Sequence, residues 1–471
     1  MLINRIANAR FLNPFFTGLL SYYFARLVMQ SYSLAAALIG GAMFVFIFLT
    51  NVEYAFYFLL ATRGIVDVFY TIQTTGGLRV THVIGGGLVA VFLYYAIVVS
   101  RYNFFKLTIN KIYIVFLIVS IPAIFISKSI TAGLGYWFRL FQGFAIINLT
   151  IMVVLASRDE RYRKKIYIIS LAVVVAILFP YIVFIKNWIM GITAFGSGGI
   201  PRIAAYGHNN NLFSYFLFSV FFFCLYLYSV SESPFRKRAW FVILCILAST
   251  MIYTYTRNIW LGMLILLFVW NMLRGNLIAN TLAAAVVILM ILYHPTVQER
   301  LKDAKVIMEA EGGFFDLDPK LLASRIGIWQ DNIDYLMNHT SLKDWLMGNG
   351  FDIKVRIRYI YDRMRPMAEH NNYLTLLMNT GIFGLAAYMF YLFALFRHAF
   401  RLRRSAANIH TRSLAEVFIA LLISYVIMSF FTHILWNITF QYHFSVFAGF
   451  VVASNIIEER GMDERHDTAV A

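Results

Sequence analysis

Residues 239–273 read AWFVILCILASTMIYTYTRNIWLGMLILLFVWNML, with Arg236-Lys237-Arg238 before them and Arg274 after. Two apolar runs, 239–256 and 258–273, are separated by one polar turn, Tyr253-Thr254-Tyr255-Thr256-Arg257-Asn258. As a helix, each run is roughly as long as a bilayer's hydrocarbon core is thick. The stretch therefore reads as a helical hairpin in a membrane, with its basic ends on one side and its polar turn on the other.

The same pattern fills most of the chain. Fourteen apolar segments are expected, at about 12–31, 33–50, 53–72, 82–99, 111–127, 136–156, 166–187, 205–230, 239–256, 258–273, 277–294, 371–396, 413–431 and 435–457. The third and tenth are weak, which sets the expectation at about 12–14 transmembrane helices. The first segment has no small-residue cleavage site and reads as a retained span. The fold class expected is an all-α polytopic membrane protein. Composition agrees. Of 471 residues 61% are hydrophobic and 13% charged, so the apolar surplus must face lipid, and a soluble enzyme and a disordered chain are both excluded. Cys224 and Cys245 lie inside apolar runs and read as packing residues.

The net charge of +17 has a topological reading. With the N-terminus in the cytoplasm, the inside connections receive Arg101-Lys106-Lys111, Arg158 to Lys165, Arg236 to Arg238, Arg274, and Arg397 to Arg412. Every dense basic cluster then falls on one side, as the positive-inside rule requires. No soluble basic domain remains to bind nucleic acid. The turn near Glu53 has no basic residue. Four regions follow: transmembrane helices over 1–294, an extracytoplasmic loop domain with short helices over 295–370, further transmembrane helices over 371–457, and a cytoplasmic tail over 458–471. The outer segment is too long for a simple connector. In it Leu322, Ile326, Trp329, Ile333 and Leu336 share one helical face.

The unusual polar residues gather on the outer side. Arg139 opens the sixth segment, and Arg202 precedes Tyr206-Gly207-His208-Asn209-Asn210-Asn211. Arg257 sits in the outer turn, Arg325 in the long loop, and His370 in Glu369-His370-Asn371-Asn372. Outer arginines run against the positive-inside tendency and call for a polyanionic ligand. A pyrophosphate suits the planar, permanently charged guanidinium fork. His370 is the candidate for proton transfer, with Glu369 beside it to orient it. Arg63 and Asp67, four apart in the third segment, read as an ion pair or as part of a path through the membrane. Asp316 and Asp318 are only a weak cation signal. No metal site and no cofactor are expected. Gly85-Gly86-Gly87 reads as a close helix contact.

Taken in order, these elements resemble the O-antigen ligase and polymerase superfamily, bacterial inner-membrane glycosyltransferases of the GT-C type. Arg202 with Gly207-His208-Asn209-Asn210-Asn211 is similar to that family's Arg…Gly-x-x-Asn-Pro-Asn element, without the proline. Thr254-Tyr255-Thr256-Arg257 is similar to its Ser/Thr-x-Ser-Arg element, and Ser324-Arg325 through Trp329 to its Arg…Trp helix. Gly348-Asn349-Gly350-Phe351 is similar to its Gly-x-Gly element. Glu369-His370-Asn371-Asn372-Tyr373-Leu374 with Gly381-Ile382-Phe383-Gly384-Leu385 is similar to Ala-His-Asn-x-Tyr-Leu…Gly-x-x-Gly-Leu, with Glu369 in place of alanine.

The resemblance implies a glycan donor on polyprenyl (undecaprenyl) pyrophosphate, a hydroxyl acceptor on lipid A core or on another lipid-linked repeat, and metal-independent inverting transfer at the periplasmic face. With such a donor, Arg257 and Arg325, with Arg202 and Arg139, are the arginines expected to bind the pyrophosphate. His370, Arg257 and Arg325 become the catalytic set, supported by Glu369, Asn371 and Asn211. The bilayer, and for a polymerase a chain-length regulator, are the partners it implies. The rival is a transporter or flippase of an anionic lipid or solute, lined by Arg63, Asp67 and Arg139. Outer-side clustering without repeat symmetry favours the enzyme.

Overall fold

A computed structural model describes residues 43–68, 80–99, 103–157, 161–195, 201–203, 210–254, 256–276, 325–351, 370–406 and 408–470. Among these, seven helical segments are long and apolar enough to cross a membrane. After a helix over 43–50, the elements are α1 Val52–Val68, α2 Val80–Tyr94, α3 Thr108–Val119, α4 Ile121–Ile126, α5 Ile130–Leu155, α6 Arg161–Val175 and α7 Leu178–Ile189. A short antiparallel ribbon follows, β1 Thr193–Phe195 and β2 Pro201–Ile203. Then come α8 Asn210–Val230, α9 Pro234–Tyr253, α10 Arg257–Leu273, α11 Arg325–His339, α12 Leu342–Met347, α13 Asn372–Ser405, α14 Ile409–Ser429 and α15 Ile438–Val470. The chain is an all-α polytopic membrane protein with one small ribbon added.

The helix α8 is apolar all round, and Phe213, Phe216, Phe218, Phe221, Phe222 and Phe223 are all buried. A helix with no polar face belongs at the centre of a bundle. It packs on α9, α14 and α15, and α15 runs along α5. Phe222 and Phe223 meet Phe447 of α15 edge-on at 5.4 and 5.1 Å. The helices α2 to α4, α6 and α7 are peripheral, and their Leu93, Phe125, Ile182 and Ile189 are exposed toward lipid. In lipid, every buried polar group must find a partner inside the protein. Ser170, Thr150 and Ser219 do so by donating to the carbonyl one turn back.

Small residues set the closest approaches. Ser424 of α14 donates to the Gly262 carbonyl of α10 at 2.7 Å, and a Cβ on Gly262 would lie 2.1 Å from Met428 Sδ. Gly449 of α15 sits likewise against Thr150 of α5. This is small-residue helix packing of the kind membranes favour. Of the three consecutive glycines, Gly85 meets Gln142, whereas Gly86 faces open space.

The basic ends lie together. Lys165 reaches Glu53 at 2.6 Å, so the turn without a basic residue of its own receives one from the start of α6. Tyr162 meets Thr411 through its hydroxyl, at 3.3 Å. Arg274, Arg403 and Arg412 share Glu416. Arg401, Arg403 and Arg404 belong to α13 itself and not to a loop, because that helix runs on to Ser405. The segment expected at 371–396 is also not one straight span. Gly381 (φ 68°, ψ −172°) breaks α13, leaving a short helix before the break and a longer one after it.

Candidate functional site at one end of the bundle

The turn between α14 and α15, Phe430-Phe431-Thr432-His433-Ile434-Leu435-Trp436-Asn437, is the hub of the site. Its core is a short 3-10 turn, Ile434–Trp436. Nearly every element singled out by sequence meets this turn.

His433 meets His370. The ring Nε2 of His433 accepts the backbone N–H of His370 at 2.6 Å, and the two rings lie 5.2 Å apart. His370 itself is exposed and has φ 50°, the left-handed region. The other ring nitrogen, Nδ1, is 3.1 Å from the Thr375 hydroxyl, which donates to the Asn371 carbonyl at 2.7 Å. Asn371 is buried and caps α13, accepting from Tyr373 N and Leu374 N at 2.9 and 3.1 Å. This is the Asx cap that such a position favours. Asn372 completes the join, donating to Ser429 at 2.9 Å and accepting from Leu435 N at 3.2 Å.

Arg257 lies in the first turn of α10 and is exposed. Its neighbour Asn258 donates to the Phe431 carbonyl at 3.0 Å. On the other side, Thr256 bonds Ser214 at 2.8 Å and Asn211 at 3.4 Å, joining the start of α8 to the start of α10. Tyr215 reaches the turn itself through the Thr432 hydroxyl. Arg139 lies over the ring of Tyr136 at 5.1 Å. Tyr136, Phe351 and Trp436 form an aromatic cluster, with centroids 5.4 to 6.0 Å apart. Arg325 opens α11, and Trp329, one turn later on the same helix, packs on Phe431 at 6.3 Å.

Two further glycine elements join residues 348–351 to α13 and to Ser127. Asn349 N donates to Met378 O and Gly350 N to Asn379 O, at 2.8 and 3.2 Å. Phe351 N donates to Ser127 Oγ at 2.8 Å. Gly348, Gly350 and Gly381 all have φ between 68° and 92°. A Cβ on Gly348 would sit 2.3 Å from Asn379 O, and one on Gly381 2.3 Å from Leu346 O. The Gly-x-Gly element and the α13 break are therefore two halves of one backbone contact.

Arg202 lies on β2 opposite Ala194, which places its backbone just before α8. Glu369, Asp316, Asp318 and His208 lie outside the described residues, as do the side chains of Arg202, Arg325 and Asp67. Arg63 is buried with its guanidinium 4.6 Å over the ring of Tyr442, near the start of α15. The residue that sequence reading missed is His433. Its signal was a histidine in the tight connection between the last two spans, on the same side as His370.

No curated protein matches the chain. Residues 240–389 match the family model described as O-antigen ligase. That stretch begins in α9 and ends in α13, and it contains Arg257, Arg325, Gly348, Gly350, His370 and Gly381. The chain is thus a multi-pass membrane protein in which residues 240–389 are similar to the O-antigen ligase family.

Proposed function

We propose that the outer site transfers a glycan from a polyprenyl-pyrophosphate donor to a hydroxyl acceptor, in the synthesis of a cell-surface polysaccharide. One observation carries the reading: a single turn, 430–437, contacts the elements bearing Arg257, Arg325 and Arg139 and bonds the backbone of His370. Cationic forks and one imidazole at one end of a bundle are what this chemistry needs.

In this reading the acceptor hydroxyl attacks the anomeric carbon. The new C–O bond forms as the bond to the pyrophosphate oxygen breaks, so a single displacement inverts that carbon. The leaving pyrophosphate gains negative charge. Arg257 and Arg325, with Arg139 and Arg202, offset it electrostatically, the term expected to dominate such a step. The N-terminal end of the α10 dipole adds positive potential where Arg257 sits. His370 takes the acceptor proton on its exposed ring. His433 is not the base in this scheme, because its Nε2 is engaged by the backbone and its Nδ1 by Thr375. Asn371 and Asn211 support the two helix starts. The isoprenoid lies along lipid-facing helices, and the inner bacterial membrane with a periplasmic site is the setting that fits.

Purified protein given a polyprenyl-pyrophosphate oligosaccharide tests the reading. Product on lipid A core marks a ligase, and lengthened lipid-linked glycan marks a polymerase. Lipid movement across a reconstituted bilayer without any new glycosidic bond contradicts transfer.

A further inference from the structure

The helices that carry the outer site bring three arginines together at their other ends. Arg274 follows α10, Arg403 lies in the last turn of α13, and Arg412 in the first turn of α14. From Arg257 to Arg274, α10 rises about 26 Å, close to the thickness of a hydrocarbon core. The cluster therefore sits at the opposite membrane boundary from His370.

All three arginines face one acid. Glu416 is buried, with 3% of its side chain exposed. It meets Arg412 Nε at 3.0 Å, Arg274 Nε at 3.2 Å and Arg403 Nε at 3.6 Å. Three cations against one anion leave a surplus of two positive charges. One terminal nitrogen of Arg274 donates to Ser413 at 2.9 Å, and one of Arg403 caps α10 at Leu273 O, at 2.8 Å. The partial charge on that helix end offsets only part of the surplus. Because each arginine approaches Glu416 through Nε, its terminal fork is not spent on the carboxylate. The side chain of Arg412, the most exposed of the three at 56%, makes no other hydrogen bond among the described residues.

Solvated loop charges would be enough to orient the chain. Arg274 and Arg403 are instead partly drawn in between helices, where uncompensated charge is costly. The indole of Trp270 lies under Arg274 at 4.4 Å, and its buried N–H meets no acceptor among the described residues. A multi-oxygen anion offsets the surplus charge. Exposed apolar side chains lie within about two turns of the arginines: Phe268 and Met272 on α10, Phe400 on α13 and Ile409 on α14. An anionic group beside apolar surface is the signature of a phospholipid.

We propose that Arg274, Arg403 and Arg412 bind the phosphate of an anionic phospholipid in the leaflet opposite the His370 site. Its acyl chains lie along Phe268, Met272, Phe400 and Ile409. The proposal stands apart from the transfer reaction. Full-length wild type and Arg412→Gln would be reconstituted in nanodiscs of phosphatidylcholine, alone or mixed with phosphatidylglycerol, and their thermal midpoints measured. Phosphatidylglycerol should raise the wild-type midpoint, and Arg412→Gln should lose about half of that rise or more. An equal rise in both proteins overturns the site. A wild-type rise reproduced by inorganic phosphate in plain phosphatidylcholine overturns a lipid as the occupant. If Arg412→Gln does not fold, Arg412→Lys, which keeps the charge and loses the fork, should show the smaller rise, and a rise equal to wild type overturns the proposal.

Discussion

His433 Nε2 accepts the backbone N–H of His370 at 2.6 Å, and that bond holds His370 in the left-handed conformation. A non-glycine residue there is strained by about 1–2 kcal/mol, so something must hold it in place. Acceptance through Nε2 puts the neutral ring's proton on Nδ1, which points at Thr375. The loop before α13, the cap of α13 and the α14–α15 turn are thus joined by one imidazole. His433 reads as the residue that aims His370.

Replacement of His433 separates aim from bulk. His433→Phe keeps the ring and removes both bonds, and turnover should fall about tenfold or more with KM for the donor little changed. His433→Gln offers one acceptor and one donor, and it should recover most of the rate. Equal losses in the two variants would assign His433 to packing.

Gly348 and Gly381 should tolerate no side chain. Each combines a positive φ with a backbone atom 2.3 Å from where Cβ would stand. Alanine at either should cost about 3 kcal/mol or more, read as a lowered unfolding midpoint in detergent. Gly191 supplies the control. Its φ is 64° but nothing lies within 4 Å of its Cβ position, so Gly191→Ala should cost about 1 kcal/mol.

Asn372 joins three elements through two hydrogen bonds. Asn372→Ala strands the Leu435 N–H in a buried place, removes a donor from Ser429 and should cost about 2 kcal/mol. Asn371→Ala removes only the cap and should cost about 1 kcal/mol. Unfolding midpoints of the two variants give the order.

Arg257 is exposed at the start of α10, so its replacement should leave folding intact. Arg257→Ala should abolish transfer, and Arg257→Lys should restore little, since an ammonium does not fork onto two phosphate oxygens. The proposed donor set is arginine, histidine and asparagine, so a chelator should leave the wild-type rate unchanged. Wild-type turnover in Arg257→Lys would contradict a forked pyrophosphate contact.

Much of this architecture is legible in the sequence because apolar runs and basic flanks act locally. The hairpin 239–273 appears as α9 and α10, with Arg257 at its turn. The start of α13 is legible from Asn371, because a capping residue announces itself just before its helix. The break at Gly381 was not legible as a break. The apolar pattern runs straight through it, and only contact with Leu346 and Gly348 explains why glycine is there. His433 was equally hidden. Its role depends on a residue 63 positions away, and no spacing rule reaches that far.

The central claim is that the site around His370 performs glycan transfer with His370 as the proton acceptor. The most direct test is single-turnover transfer by wild type and His370→Ala, from a polyprenyl-pyrophosphate oligosaccharide at saturating donor, with donor binding measured in parallel. The account predicts unchanged donor affinity and a transfer rate lower by about a hundredfold or more. Wild-type transfer by His370→Ala would contradict it.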